Sequence, residues 1–507
     1  MTTFQNLQEF FFDKEYKVII AADAEPFVHK KDKDGLLRAE IPAGGVAVAF
    51  DPLAKASKAI YVGRGKTEED KAVLDSKGKV KSPDETYQLK RLFFSPTDIY
   101  DYYFGFSNQT LWPLCHVAFE RPIFSNTWYK GYERVNQRFA QAIKEEIKGK
   151  TLVWLNDYQL SLVPKYLGHP KDAIIALFWH IPWPTWEIFR ILPQKKEILE
   201  SLLQCDCIAF HRGYQARNFL QCVERELEAR IDLETNKVYY KKHVTTVKNF
   251  PMGIDTDVIK SLVDIEPSST LISNIIKQTL GTPKTEESLV DKVFQEQKVI
   301  LGTDRIDYTK GILLRLQALD TFYAKYPQYK GKATYVGILA PSRSEIPAYI
   351  ALREQMVNLA KTINDKYQTP NWQPIHLITG IFSRKEIVNA YRKSAVCLVT
   401  PLDDGMNLVA KEFVMASVFS DNPGMLVLSQ FAGAAIDLTS SVIVNPYSIE
   451  STAEAIKKAL EMSPKEKKER IKAMTEILEE RNVYHWTESF ILEAEHAARE
   501  NRSLRLA

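Results

Sequence analysis

Cysteine is scarce in this chain, five among 507 residues, and the number is odd. A disulfide framework is therefore not expected, and a reducing, cytoplasmic setting is. Cys205 and Cys207 form a CDC triplet, yet no second Cys/His pair stands at zinc-finger spacing. They read as buried thiols on a strand, and no metal site is expected. An excess of one charge is also missing, since 67 basic against 64 acidic residues leave only +3. A nucleic-acid partner would need basic residues gathered on one face, so none is expected. No apolar run approaches the roughly 18–20 residues of a membrane span. The opening MTTFQNLQEFFFDKEYK has no basic segment followed by an apolar core, so neither a membrane partner nor a secretory signal is expected. Internal repeats and low-complexity segments are absent too, while assembly into a homo-oligomer stays open.

What remains is an ordinary globular composition, 45% apolar and 26% charged, long enough for two or three domains. Short apolar runs alternate with longer amphipathic ones, the α/β pattern. YKVIIAA (16–22), TLVWLND (151–157), DAIIALFWH (172–180), CDCIAFH (205–211), KVILGTD (298–304), KATYVGILA (332–340), IHLITG (375–380), AVCLVT (395–400) and MLVLSQ (425–430) read as strands. Several lack alternation, as strands covered on both faces should. YERVNQRFAQAIKEEIK, KEIVNAYRKS and AEAIKKALEMSPKEKKERIKAMTEILEE read as helical. Pro251 and Gly253 interrupt the pattern within VKNFPMGIDTD (247–257) and mark the best boundary. The expected architecture is two doubly wound, Rossmann-like domains, 1–250 and 251–480, with a ligand cleft between them. The last stretch, 481–507, should return as a helix to the first domain.

Three stretches carry candidate chemistry. GTDRIDYTKGI (302–312) places Arg305 and Lys310 after a strand, where open α/β sheets bind ligands. The pair is either an ordinary charged loop or a clamp for a phosphate-bearing ligand. TPLDDGMNLVAKEFVMA (400–416) breaks from strand to helix at Asp404, Gly405 and Asn407, leaving backbone N–H groups open to an anion or sugar hydroxyls. Glu412 stands eight positions after Asp404, so both carboxylates can accept hydrogen bonds from hydroxyls on one side. Asp404 as a helix cap and Glu412 as a solvated side chain would explain either alone. In LFWHIPWPTWEIFRILP (177–193), His180 ends a buried strand, and its imidazole is either structural or catalytic. LVWLNDYQL ends a strand in the same way with Asp157 and Tyr158.

HIPWP, DRIDYTKG, APSR, LDDGMNLVAKE, VLSQFAGAA and VNPY together resemble the trehalose-6-phosphate synthase family, retaining glycosyltransferases of GT-B fold. The resemblance covers nearly the whole chain and is densest from 300 to 450. It implies glucosyl transfer from a nucleotide-activated glucose to glucose 6-phosphate, without a resident cofactor. UDP-glucose, ADP-glucose and GDP-glucose stay open as donors. By the same resemblance Arg305 and Lys310 hold the donor diphosphate, and Asp404 the glucose hydroxyls. Glu412 takes the ribose, Asn407 and Leu408 the diphosphate, and Phe382 lies near the base. Gly45 lies against the donor, and His180 contacts the transferred sugar near its reactive carbon. Tyr103, Trp112, Asp157 and Arg343 match acceptor-binding residues, with Arg343 on the phosphate.

The acceptor half departs from the family pattern. Ser-Asn-Arg is replaced by Ala21-Ala22-Asp23, which removes a phosphate-binding arginine, and a tryptophan of Trp-Val-Gly-Trp is Arg64 in the turn YVGRG. Arg64, or His29, Lys30 and Lys31, would have to restore the lost positive charge. His-Asp-Tyr-His is here Asn156-Asp157-Tyr158-Gln159, and the basic residue before Asp-Gly is Asp403. AEPFVHKKDKDGLL is similar to relatives that make glucosylglycerol phosphate, so glycerol 3-phosphate is the alternative acceptor. A non-catalytic sugar-phosphate sensor is the reading from another class, opposed by the intact Arg305, Lys310, His180, Asp404 and Glu412. No DxDx[TV] motif accompanies them, so the product should leave phosphorylated.

Overall fold

The apolar runs without alternation become parallel strands buried on both faces. The computed structural model describes residues 2–40, 46–263 and 297–506; Gly45 lies outside the described residues. The chain divides into two units, one of Met1–Met252 with Val483–Ala507, the other of Gly253–Asn482.

The first unit holds β1 (Lys17–Ala21), the hairpin β2 (Val28–Lys31) and β3 (Leu37–Glu40), β4 (Ile60–Arg64), β5 (Lys79–Lys81) and β6 (Gln88–Leu92). It continues with β7 (Thr151–Asn156), β8 (Ala173–Phe178), β9 (Cys207–Phe210), β10 (Arg230–Asp232), β11 (Lys237–Tyr240) and β12 (His243–Asn249). Ten of these form one sheet in the order β10-β11-β12-β9-β8-β7-β1-β4-β6-β5. Its centre is parallel, Ile19 lying opposite Val153 on one side and Ile60 on the other. Every residue of β7 and β8 is buried, so alternation has no solvent face to report. The helix Val483–Leu506 belongs to this unit because its aromatic residues complete the core. Trp486 and Phe490 each lie with ring centroids 5.4 Å from Trp154. The Trp486 indole N–H donates to Phe250 O at 3.2 Å, and Asn501 donates to Asp206 at 2.9 Å.

The second unit has a six-stranded parallel sheet. Its strands are β13 (Lys298–Arg305), β14 (Ala333–Ala340), β15 (Ile375–Thr379), β16 (Val396–Val399), β17 (Met425–Ser429) and β18 (Val442–Val444). Their order is β15-β14-β13-β16-β17-β18. The stretch read as one helix over 453–480 is two, Ile449–Glu461 and Pro464–Glu480. Ser463 caps the second by accepting from the Glu466 N–H at 3.2 Å, and Pro464 fits its first turn, where a missing N–H costs nothing. Among the described residues no helix is long and apolar enough to cross a membrane. All five cysteines are buried thiols outside any disulfide.

Charged residues enter the first sheet where they find buried partners. Arg91 on β6 donates from Nε to Glu25 at 2.6 Å and lies 3.1 Å from Asp70. One guanidinium thus faces two buried carboxylates. Asp70 also accepts backbone N–H groups from His29 at 2.8 Å and from Lys66 and Thr67 at 3.3 Å. These bonds and Arg91 outweigh burial and hold its carboxyl below the usual range. Glu25 has one oxygen, Oε1, with no hydrogen-bond partner among the described residues. Burial pushes its carboxyl up to about 7, against the pull of Arg91. Between the ordinary glutamate range and about pH 7 the folded chain therefore holds a proton that the unfolded chain has released. Stability should fall as pH rises through that window. Urea midpoints of the parent and of Glu25→Gln, taken at pH 5 and pH 8, test this: the parent should lose ground to the variant at the higher pH. An equal gap at both values would show that Glu25 is ionised throughout.

Candidate functional site

The second unit assembles its candidate residues beyond the carboxyl end of β13. Asp307 is fully buried and caps the short turn Tyr308–Lys310, accepting from the Thr309 N–H at 3.1 Å. Gly311 then takes φ +65, and a side chain there would meet Thr400 O at 2.3 Å, so the GTDRIDYTKG loop must end in glycine. The turn delivers Lys310 to Asp404, Nζ to Oδ2 at 2.5 Å. Asp404 Oδ2 also accepts from Asn407 Nδ2 at 3.1 Å. Asn407, at φ 73, caps the helix Leu408–Ser417 by accepting from the Ala410 N–H at 3.2 Å. Helix starts of this kind favour anions, because the first N–H groups have no partner within the helix.

Arg305 is half-exposed, with Nη2 3.7 Å from Asp307 Oδ2. Arg343 approaches the same oxygen to 3.2 Å, is itself buried at φ 47, and donates to the Tyr349 hydroxyl. Two guanidiniums thus share one buried carboxylate, and Asp307 stays below the usual range because Arg343, Arg305 and Lys310 overcome the effect of burial. Glu412 pairs with Arg384, whose Nη2 donates to Oε1 at 2.8 Å. Phe382 is buried just before the helix Arg384–Lys393.

Sequence reasoning missed the residue that fixes the loop. Arg315 is fully buried and donates to Asp304 at 2.6 Å, to Thr400 Oγ1 at 2.9 Å and to Lys310 O at 3.2 Å. Its signal was a single arginine inside the apolar run ILLRLQAL. Asp307, Tyr349 and Arg384 were also missed; each is visible only once its distant partner is known.

In the first unit, β7 is followed at once by Asp157, which holds φ 72 without being glycine. Its Oδ1 accepts from the Tyr158 N–H at 3.0 Å and the His180 N–H at 3.1 Å, tying the ends of β7 and β8 together. His180 is buried, its Nε2 3.2 Å from Asn156 Oδ1. Burial, then His211, depresses the imidazole pKa well below its usual value, so the ring is neutral. Trp112 is buried with its ring centroid 4.1 Å from that of His116. Tyr103 sits on a π-helix, Tyr100–Leu111, and its ring lies under Arg64 at 4.8 Å.

Arg64 requires a correction. It is not a residue of a turn but the last residue of β4, buried, with Nε 2.7 Å from Asp23 Oδ1 and Nη2 2.9 Å from Oδ2. Asp23 anchors the guanidinium in a bidentate pair and cancels its charge. Two of the three alternative sources of charge also have other engagements. His29 is buried with its Nδ1 2.9 Å from Arg91 Nη1, and burial and Arg91 lower its pKa. Lys30 pairs with Glu40 at 2.6 Å on the hairpin.

Known proteins give this arrangement its context. The family model of glycosyltransferase family 20 matches residues 15–496. Alpha,alpha-trehalose-phosphate synthase [UDP-forming] A of Dictyostelium discoideum is 34% identical over 95% of this chain, which spans 63% of that protein's length. The UDP-forming synthase of Candida albicans is 33% identical, covering 94% of this chain and 97% of its own. A trehalose-6-phosphate structure from E. coli bound with UDP-2-fluoro glucose superposes with a TM-score of 0.81 at 31% identity, covering 94% of this chain and 98% of that one. A Burkholderia xenovorans alpha,alpha-trehalose-phosphate synthase in complex with glucose-6-phosphate gives 0.80 at 28% identity, covering 94% and 100%. With a family match over nearly its full length and two α/β units that follow the GT-B enzymes, the chain belongs to glycosyltransferase family 20.

Proposed function

We propose that this protein transfers glucose from UDP-glucose to glucose 6-phosphate with retention, giving trehalose 6-phosphate. The observation that carries the reading is the cation pair at the carboxyl end of β13, Arg305 half-exposed and Lys310 fixed on Asp404, beside the start of a capped helix. In this reading both cations take the negative charge that grows on the diphosphate as the glycosidic bond breaks. Asp404 and Glu412 accept from hydroxyls of glucose and ribose, Asn407 and Leu408 meet the diphosphate, and Phe382 borders the base. The acceptor hydroxyl attacks the anomeric carbon on the face the diphosphate leaves, and the departing phosphate takes its proton. Tyr103, Trp112 and Asp157 bind the acceptor sugar, and Arg343 its phosphate. The buried Asp23–Arg64 pair favours a second reading, transfer to another phosphorylated acceptor such as glycerol 3-phosphate. An assay of UDP-, ADP- and GDP-glucose against glucose 6-phosphate, glycerol 3-phosphate and glucose, with products identified by mass, decides between them. Failure of every combination would leave the sensor reading.

Arg305→Ala and Lys310→Ala should each lower kcat on the order of 10²-fold while the variants stay folded. Near-normal turnover in either would remove the diphosphate clamp. Because these cations supply the leaving-group charge, turnover should persist in excess EDTA. Loss on chelation, with recovery on adding Mg²⁺ or Mn²⁺, would overturn that mechanism.

Acceptor binding should respond to the Asp23–Arg64 pair in opposite directions. The double variant Asp23→Asn/Arg64→Gln removes the guanidinium without stranding a buried carboxylate, a change that would otherwise cost about 3–5 kcal/mol. It should raise KM for the phosphorylated acceptor roughly 10-fold or more, with donor KM unchanged. Asp23→Asn alone leaves Arg64 uncompensated and should lower that KM. If both variants leave acceptor KM unchanged, Arg64 serves only the fold.

A further inference from the structure

Asn156 ends β7, and its side-chain amide is committed on one side. Its Nδ2 donates to Ala21 O at 3.3 Å and to Trp154 O at 3.4 Å, two backbone carbonyls on adjacent strands. Reversing the amide would set its oxygen against both carbonyls, so the oxygen must face His180, where Nε2 lies at 3.2 Å. An amide oxygen only accepts, so Nε2 must carry the hydrogen. The other ring nitrogen, Nδ1, is buried and has no hydrogen-bond partner among the described residues. We infer that Asn156 is a positioning residue, which locks His180 in the Nε2–H tautomer with Nδ1 as a bare acceptor.

Among the described residues, the groups around the ring do not reverse this state. The ring is enclosed by Phe50 at 5.9 Å, Phe178 at 4.7 Å and Trp486 at 6.3 Å, with His211 at 5.3 Å between ring centroids. Asp157, next to Asn156 in the chain, accepts from the backbone N–H of His180. A neutral, caged ring fits the depression of the His180 pKa by burial and by His211. The functional meaning rests on the proposed glucosyl transfer. Its only ring N–H is already donated to Asn156, so the ring does not serve as an acid.

The tautomer itself is measurable without turnover. Nitrogen-15 histidine labelling of the full-length protein, with the His180 signals assigned by their loss in His180→Gln, distinguishes a protonated from a bare ring nitrogen. The expected spectrum shows Nε2 protonated, Nδ1 bare and no titration between pH 5 and 8. An Nδ1–H tautomer, or an imidazolium at pH 6, would overturn the inference even if the enzyme makes trehalose 6-phosphate. Asn156→Asp, close to isosteric, should place a carboxylate against Nε2–H and draw a second proton onto Nδ1 as pH falls. The variant's kcat should then gain an acidic limb that the parent lacks. Asn156→Ala should mix the tautomers and lower kcat about five-fold, the net worth of one hydrogen bond, with acceptor KM unchanged. A variant Asn156→Asp whose His180 signals match the parent's at every pH would show that Asn156 does not set the ring's state. Absence of transferase activity with intact tautomer signals would instead sink the function and spare the inference.

Discussion

A guanidinium with no exposed surface holds the second unit's loop in place. Arg315 sits on the apolar face of the helix Ile312–Lys325, where a lone charge would be costly to bury. It is tolerated because four oxygens from separate segments converge on it: Asp304 from β13, Thr400 just after β16, the carbonyl of Lys310 and the Tyr335 hydroxyl of β14. The same bonds tie two strand ends to the turn that carries Lys310. Removing either partner of such a pair leaves an uncompensated buried charge and costs about 3–5 kcal/mol. The position of Lys310 against Asp404 therefore depends on a residue that reaches no ligand itself.

The first unit solves a related problem of charge balance in a different way. Where the family pattern has an arginine and a tryptophan, this chain has Asp23 and Arg64, which neutralise each other inside the sheet. The exchange keeps a guanidinium in the neighbourhood, stacked on Tyr103, but fixes its direction through a bidentate anchor. A few residues on, Arg91 is shared by two carboxylates, and the one richer in N–H donors keeps its charge. Buried charges in this unit are thus decided by counting hydrogen-bond donors, and not by sequence separation.

That is also why the sequence was legible in some places and opaque in others. The strands read from continuous apolar runs, such as those around Leu152–Leu155 and Ile174–Phe178, correspond to strands covered on both faces. β4 and β6 were not read as strands. YVGRG carries two glycines and an arginine, and QLKRL has Lys90 and Arg91 at its centre, a pattern that suggests a turn or a solvated edge. Their partners are Asp23, Glu25, Asp70, Glu145 and Glu146, many residues away in the chain. The π-helix over Tyr100–Leu111 leaves no periodic trace that an α-helical template would find. Asp404 and Glu412 share a spacing but not a partner, since Lys310 and Arg384 draw them to different neighbours.

Backbone strain marks the same places from an independent direction. Asp157, Arg343 and Asn407 adopt φ of 72, 47 and 73, a region that costs a side chain about 1–3 kcal/mol unless its surroundings impose it. In each case the imposing contacts are visible. Asp157 caps two strand ends, Arg343 is held by Asp307 and Tyr349, and Asn407 is pinned between the Ala410 N–H and Asp404. All three follow strand ends in parallel sheets, where the chain must turn sharply while keeping a polar side chain aimed. A glycine would relieve the strain at each position but would remove the group being aimed. Retaining Asp, Arg and Asn there exchanges some stability for direction, and the hydrogen bonds that hold these residues in place set that direction before any ligand arrives.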